Sequence, residues 1–583
     1  MSVLLGLSLS HDSSAALTTS DGRLISALAE ERVSRRKNHI GIPFQAIRML
    51  MEQVDVSRIY IGSHLKLDRA AALSMACELE ENPSNPRGIF APPYPGFEKF
   101  VDGRLRNASP HGIIELTLEN WFAKLGLARP EKFFWVNHHD SHAGTTLGVQ
   151  HKKSALIFSL DGQGDGESGL VAHYDPRNGM KILARMPALD SLGELYSAVT
   201  RRYNFRANRH EGKITGLAAY GKKSQITENL IQFINVQDGV PVLAIAKKEW
   251  QKIAKRRFPG KLFSNLALNH DDIISSSLID NYEYPDLAFA IQELLELCVL
   301  EIIDYWISKT GEKTIQLSGG VFSNVKLNQR ISEMKSVEEV LVFPNMGDGG
   351  LSVGGIWHSL ASTGNLSHES LFADMYLGPE IFENENIVGL SDPHLVIENF
   401  TQDEIALKAA WDITQNLIVA LHVGRMEFGP RALGNRSILL DPRNPEIVIH
   451  ANRRLKRTEF MPFAPVVMEE YVNEYFSIKG KTSQPFYYMA MTCNVKREVQ
   501  NLLPAITHID GTARPQIINP EINLMCYKVL DEFRKLTGVA CLVNTSLNIH
   551  EEPINFILED SIRALKLGSI DVIYTSSKRI SLK

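Results

Sequence analysis

Residues 154–186 read SALIFSLDGQGDGESGLVAHYDPRNGMKILARM, and residues 2–31 read SVLLGLSLSHDSSAALTTSDGRLISALAEE. Both divide the same way. A near-continuous apolar strand runs into a turn of small and acidic residues, then a second strand, a Gly- or Asn-containing turn, and a third strand. The turns are SHDSS with Asp21-Gly22 in the first stretch, and DGQGDG with DPRNG in the second. Each unit leads into a segment with helical apolar spacing: Ile47, Leu50, Met51 and Val54 after one, Leu192, Leu195, Tyr196 and Val199 after the other. A meander written twice and followed by helices predicts an α/β fold of the actin-like ATPase class, in which two ribonuclease-H-like halves clasp a nucleotide. The other reading is two unrelated hairpins in a larger α/β protein.

Working outward, residues 285–309 predict a long helix with Pro285 in its first turn. Strand, Gly-rich turn and helix then occur twice, as TIQL into Ser318-Gly319-Gly320, and as VEEVLVF into NMGDGG and a helix over 351–361. Such turns aim backbone N–H groups at an anion. Residues 366–400 are rich in Gly, Asn, Ser and Pro and read as a linker. This divides the chain into domains 1–365 and 401–583, the second starting with a helix and the strand LIVALHV.

The 583 residues carry 62 Lys plus Arg against 67 Asp plus Glu, a net charge of −5 that argues against a broad nucleic-acid-binding surface. Five cysteines (Cys77, Cys298, Cys493, Cys526, Cys541) show no CxxC spacing, so neither a disulfide scaffold nor a thiolate zinc site is expected. No signal peptide and no membrane span are expected, and a cytoplasmic location follows.

The sharpest chemical motif is HHDSH at 138–142. On a helix His138 and His142 share a face and can hold one metal ion, iron or zinc by ligand type. The absence of Glu from its second position argues against a metalloprotease. Asp161 at a strand end and Asp348 in a Gly-rich turn could complete a mixed N/O site acting as a Lewis acid. His11 and Asp12 lie in the first meander turn and could contact phosphate or act as a base. The run from Glu30 to Lys37 reads as a solvated charged face. His210-Glu211-Gly212-Lys213 offers a close backbone approach and a point charge. Between 421 and 460, eight Arg or Lys stand against four acids, on Pro- and Gly-rich turns (EFGPRALGNRS, DPRNP, NRRLKRTEFMPFAP). With Arg514 and Asn544-Thr545-Ser546-Leu547-Asn548 they suggest a pocket for a small polyanion.

These motifs in this order, HDSSAAL, AEERVSRRK, NHHDSHAG, DGQGDGE, GKITGLAAYG, LSGGVFSNVKLN, GDGG, EFGPRALGNRSILLDPR, MPFAP, HIDGTARPQ and NTSLN, make the chain resemble the O-carbamoyltransferases of nodulation-factor and antibiotic biosynthesis. The resemblance implies a threonylcarbamoyl-transferase-like, actin-like N-terminal domain and a YrdC-like α/β C-terminal domain. It implies that carbamoyl phosphate and ATP, with Mg2+, give carbamoyl adenylate in the second domain. The carbamoyl group then passes to a hydroxyl of a sugar or small-molecule acceptor in the first.

Residue by residue, the resemblance makes His138, His142, Asp161 and Asp348 ligands of Fe2+ or another divalent ion. His11, Asp12 and His139 become catalytic candidates. Gly162, Gln163, Gly164, Lys213, Gly319, Gly320 and Asn324 would surround the adenylate. Arg431, Arg436, Lys456, Arg457, Arg514, Asn544, Ser546 and Asn548 would line the carbamoyl phosphate and ATP pocket. One departure is Met461, which stands where many members carry Arg. Residues 62–125, an irregular insertion, are the expected acceptor contacts. No nucleic acid and no membrane are expected as partners, and a homodimer is left open. A tRNA threonylcarbamoyl-type transferase, a sugar kinase and a non-catalytic ATP-binding scaffold are the alternatives.

Overall fold

The computed structural model describes residues 3–51, 56–62, 71–72, 74–75, 108–243, 270, 274, 283–366, 371–379, 392–457, 463–479 and 483–583. Val54, Cys77, Met461 and most of the insertion at 62–125 lie outside the described residues.

The first meander forms β1 (Val3–Ser8), β2 (Ser14–Thr19) and β3 (Leu24–Ala29), completed by β4 (Val56–Gly62) and β5 (Lys132–Val136) in the order β3-β2-β1-β4-β5. The second forms β6 (Ala155–Gly164), β7 (Glu167–Asp175) and β8 (Gly179–Pro187). A separate hairpin, β9 (Ile234–Gln237) and β10 (Val240–Leu243), precedes β11 (Thr314–Ser318) and β12 (Glu339–Val342). The second sheet runs β12-β11-β6-β7-β8. Its connectivity repeats that of the first: three antiparallel strands, then two parallel ones added beside the first strand. The duplicated actin-like α/β architecture is thus present, and the unrelated-hairpin reading fails. The strands β1 and β2 are buried along their whole length, which is why they read as near-continuous apolar runs.

The expected helices form. Phe44–Met51 buries Ile47, Leu50 and Met51, and Leu192–Arg202 buries Leu192, Leu195, Tyr196 and Val199. Tyr284–Thr310 has Pro in its first turn and ends at Gly311, whose φ of 74° suits the left-handed cap.

Two helices close the core between the sheets: His138–Val149 after β5, and Leu351–Ser362 after β12. They touch at glycines. A Cβ on Gly144 would lie 2.1 Å from the carbonyl oxygen of Gly354, and one on Gly354 would lie 1.9 Å from that of Ser141. Glycine is therefore required for this approach, and the approach brings the N-terminal ends of both helices together.

The C-terminal region is a mixed eight-stranded sheet. Its strands are β13 (Leu395–Asn399), β14 (Val419–His422), β15 (Arg436–Leu440), β16 (Ala464–Met468), β20 (Gln516–Ile518), β21 (Cys541–Ser546), β22 (Val572–Tyr574) and β23 (Lys578–Leu582). A small sheet adds β17 (Phe476–Ser477), β18 (Cys493–Val495) and β19 (Thr512–Ala513). The stretch read as a linker is built into both regions. Leu371 and Leu377 accept backbone hydrogen bonds from Leu24 and Ala27 beside β3, Phe428 donates to Met375, and residues 395–399 pair with β23.

The solvated-face reading of the Glu30–Lys37 run is overturned. Glu30, Glu31 and Arg32 are 2%, 9% and 4% exposed. Glu30 accepts the N–H of Ala46 at 2.8 Å at the start of the helix Phe44–Met51, and burial pushes its carboxyl up to about 7. Arg32 donates to the carbonyl of Gly429, and Arg35 to those of Pro553 and Ile554. The run is a seam between the two regions. Cys298, Cys493, Cys526 and Cys541 are buried and unbridged. Among the described residues no helix is long and apolar enough to cross a membrane.

Candidate functional site

Asn137 accepts the N–H groups of His139 and Asp140, starting a helix whose first turn carries His138 and whose second carries His142. Their Nε2 atoms are 3.1 Å apart. Asp161, in β6, places Oδ2 3.0 Å from His142 Nε2 and 3.5 Å from His138 Nε2. Asp348 brings Oδ1 to 3.4 Å and 3.6 Å of the same two atoms. All four ligand atoms lie within 4.8 Å of one another. Both histidines and Asp348 are buried, and Asp348 Oδ1 makes no hydrogen bond. Buried polar atoms are ordinarily satisfied, so this convergent N2O2 set fits iron(II) or another divalent first-row ion. Burial opposes protonation of His142, but Asp161 and Asp348 outweigh it and push it up to about 9. Burial alone would raise the Asp348 carboxyl, yet His11 and His138 hold it well below its usual range.

Glycines make room for the cluster. A Cβ on Gly164 would lie 2.2 Å from the His138 ring, and one on Gly320 would lie 2.8 Å from Asp161 Oδ1.

His11 stands with Nδ1 3.1 Å from Asp348 Oδ2 and Nε2 3.8 Å from Asp12 Oδ2. Burial lowers its basicity, but Asp348, Asp12 and Asp161 together push it up to about 10. Ser10 also donates to Asp348 Oδ2. Asp12 sits at φ 101°, accepts from Asn38 at 2.7 Å, and is raised by burial to about 6. His139 is elsewhere: fully buried, bonded through Nδ1 to Ser159 Oγ at 2.9 Å, lowered to about 3 by burial, and lining neither cavity.

Two cavities lie side by side here, and the smaller adjoins this cluster. One of about 440 Å³ is bounded by His11, Asp12, Asp161, Gly162, Gly320 and Asp348. The other, of about 660 Å³, lies between the two regions. Lys213, Asn324 and Gln292 come from the N-terminal side, and Arg431, Arg457, Arg514, Asn544, Ser546 and Asn548 from the C-terminal side. Asn324, Arg431, Ser546 and Asn548 border both, so the cavities share a wall.

The larger cavity is electropositive in a specific way. Among the described residues neither Arg431 nor Arg514 has a carboxylate or hydrogen-bond partner, and Arg514 Nε is buried and unsatisfied. Burial, and for Arg514 the neighbouring Arg431, lower both guanidinium pKa values. Arg457 by contrast is anchored to Thr545 Oγ1 at 2.6 Å and Ser546 O at 2.8 Å, above the ring of Phe463.

Several expected residues are not brought to a cavity. Arg436 is 1% exposed and donates to the carbonyls of Val423, Gly424, Asn435 and Phe556, so it staples core loops. Lys456 is exposed and turns the chain at φ 57° after the helix Pro445–Arg454. Gln163 is exposed, and Gly164 and Gly319 serve close packing, the latter with φ 98° and a Cβ position 2.2 Å from Leu160 O. Other residues at the cavities escaped the sequence reading. Lys37 is hidden in a mixed charge run, Arg209 stands just before the His210–Lys213 stretch, and Glu551 belongs to no motif.

The family model for the carbamoyltransferase N-terminus matches residues 3–357, and that for the carbamoyltransferase C-terminus matches residues 410–581. The chain belongs to the carbamoyltransferase family. This carbamoyltransferase is 30% identical to nodulation protein NolNO of Sinorhizobium fredii, over 97% of this chain and 78% of that protein. It is 32% identical to nodulation protein NolO of Bradyrhizobium diazoefficiens, over 75% of this chain and 77% of that one. An uncharacterised protein of Methanocaldococcus jannaschii aligns over 99% of both chains at 28% identity. Among solved structures, HypF of T.kodakarensis overlaps 64% of this chain and 48% of its own at 13% identity, with a TM-score of 0.34.

Proposed function

We propose that this carbamoyltransferase works in two ATP-dependent steps, with residues 401–583 as a YrdC-like adenylate-forming domain and residues 1–365 as the transfer domain. In the first step carbamoyl phosphate, ATP and one water give carbamoyl adenylate, pyrophosphate and phosphate. In the second, the oxygen of an acceptor hydroxyl attacks the carbamoyl carbon, the bond from that carbon to the AMP oxygen breaks, and AMP leaves.

The observation that carries the reading is the pair Arg431 and Arg514. Two half-buried guanidiniums with no acid among the described residues, one of them with a buried and unsatisfied Nε, cost stability unless an anion is supplied, and phosphates fit their forked donors. The shared wall supports direct passage from one cavity to the other, which suits an intermediate that water would destroy.

In the transfer cavity the carboxylates of Asp348, Asp12 and Asp161 favour a proton on His11. A divalent cation offsetting Asp161 and Asp348 would lower that basicity, keep the Nδ1 proton toward Asp348 and leave Nε2 to receive the proton of the acceptor hydroxyl. Asp12, 3.8 Å away, would stabilise the imidazolium that results. His138, His142, Asp161 and Asp348 would hold a divalent cation, which would supply Lewis-acid stabilisation worth roughly several kcal/mol. The acceptor is a hydroxyl-bearing sugar or small molecule.

The test is pyrophosphate release from ATP plus carbamoyl phosphate. Arg514→Ala should lower it by at least about 100-fold. Release at the wild-type rate would remove the pocket assignment.

A further inference from the structure

The loop that follows β21 borders both cavities in turn. Asn548, His550 and Glu551 line the larger one, and Glu552, Pro553 and Ile554 line the smaller. Cations of the N-terminal region grip this loop. Arg35 donates from Nη1 to Ile554 O at 2.8 Å and from Nη2 to Pro553 O at 3.0 Å. Glu551, at the junction, places its carboxylate 3.0 Å from Arg209 and 3.1 Å from His210 Nε2, with Arg206 at 3.7 Å. Arg209 borders both cavities. The Glu551 side chain is 35% exposed, so it has solvent on one side and the cavity on the other.

Glu551 also adopts φ 65°, a conformation natural to Gly or Asn and strained for Glu. A residue that only turned the chain would be better as glycine. The side chain is what the position retains, and its partners lie across the seam.

We propose that Glu551 is a positioning residue that latches the loop across the seam, closing the junction of the two cavities to bulk water while the activated carbamoyl group passes between them. The inference rests on the two-step reading above. Without the latch, the oxygen of a water molecule reaches the carbamoyl carbon, the bond to the AMP oxygen breaks, and AMP and carbamic acid are released in place of product.

The experiment follows pyrophosphate from the full-length enzyme with ATP and carbamoyl phosphate and no acceptor. Wild type should give a burst near one pyrophosphate per chain and then a slow linear phase, because the retained adenylate blocks further turnover. Glu551→Gln should keep the burst and raise the linear phase by about tenfold or more, the leak being set by water access. His210→Gln, made from the other side of the seam, should do the same, and Glu551→Asp should fall between. A role in folding alone would lower the burst and the melting temperature together and leave their ratio to the linear phase unchanged. Linear phases equal to wild type in both Gln variants overturn the latch and spare the two-step reading, as does a wild type that turns over rapidly without a burst. No pyrophosphate from wild type overturns both.

Discussion

His142 Nε2 lies 3.0 Å from Asp161 Oδ2, joining the second turn of one helix to a neighbouring strand of the second sheet. His142 Nε2 also meets Asp348 Oδ1 at 3.4 Å, and Asp161 Oδ2 meets His138 Nε2 at 3.5 Å. Removing His142 should therefore disable one cavity and spare the other. His142→Ala is expected to reduce metal per chain, measured by plasma mass spectrometry, and to block carbamoyl transfer, with pyrophosphate release from ATP and carbamoyl phosphate retained. Undiminished metal content or product would contradict the ligand assignment.

The cluster depends on glycine as much as on its ligands. Gly164→Ala puts a Cβ 2.2 Å from the His138 ring, so the ring must move. The substitution should cost about 1–3 kcal/mol of stability in urea unfolding. It should also lower metal occupancy, although no ligand has changed. Full occupancy in the folded variant would show that the ring is not confined.

Arg431 and Arg436 stand in one short motif but should respond oppositely. Arg436→Met strips the carbonyls of Val423, Gly424, Asn435 and Phe556 of a buried donor and should cost about 2–4 kcal/mol. Arg431→Met removes a charge with no acid partner among the described residues, and should leave the urea midpoint unchanged or higher. It should also abolish the thermal stabilisation that ATP confers on the wild type. Equal destabilisation by both would undo the distinction between core and pocket.

His422 is buried, with Nδ1 2.9 Å from Ser561 Oγ. Burial, with Arg436 adding to it, holds its pKa well below the usual 6.5. The unfolded chain therefore binds a proton that the folded one refuses. Stability is full above the unfolded pKa and falls as pH drops below it, by up to about 1.4 kcal/mol per pH unit for this group. The loss between pH 7 and pH 5.5 should be smaller in His422→Gln, read from urea midpoints. Identical losses would clear His422 of any part in it.

Much of this was legible from residue order because local sequence encodes local geometry. The two meanders announced the duplication through strand length and turn residues. HHDSH declared a helical histidine pair, and DGQGDG and GDGG placed an aspartate at each of two strand-to-turn junctions. The clustered arginines announced anion chemistry by composition. The sequence could not say which arginine would face a ligand. Arg431 and Arg436 carry the same local signal, and only packing sends one to a cavity and the other onto core carbonyls. Lys456, predicted at the phosphate pocket, ends a helix, and His139 turns away to Ser159. Glu30 to Lys37 reads as a surface run, yet Glu30, Glu31 and Arg32 are buried, and Arg32 and Arg35 reach carbonyls of the C-terminal region. Arg209 and Glu551 have no pattern at all, and meaning comes to them from a partner more than three hundred residues away. Charge has no periodicity, so its role is decided by what the tertiary structure places opposite it. Strands and helices are specified by neighbours in sequence, whereas the shared wall of the two cavities exists only once the regions have packed together.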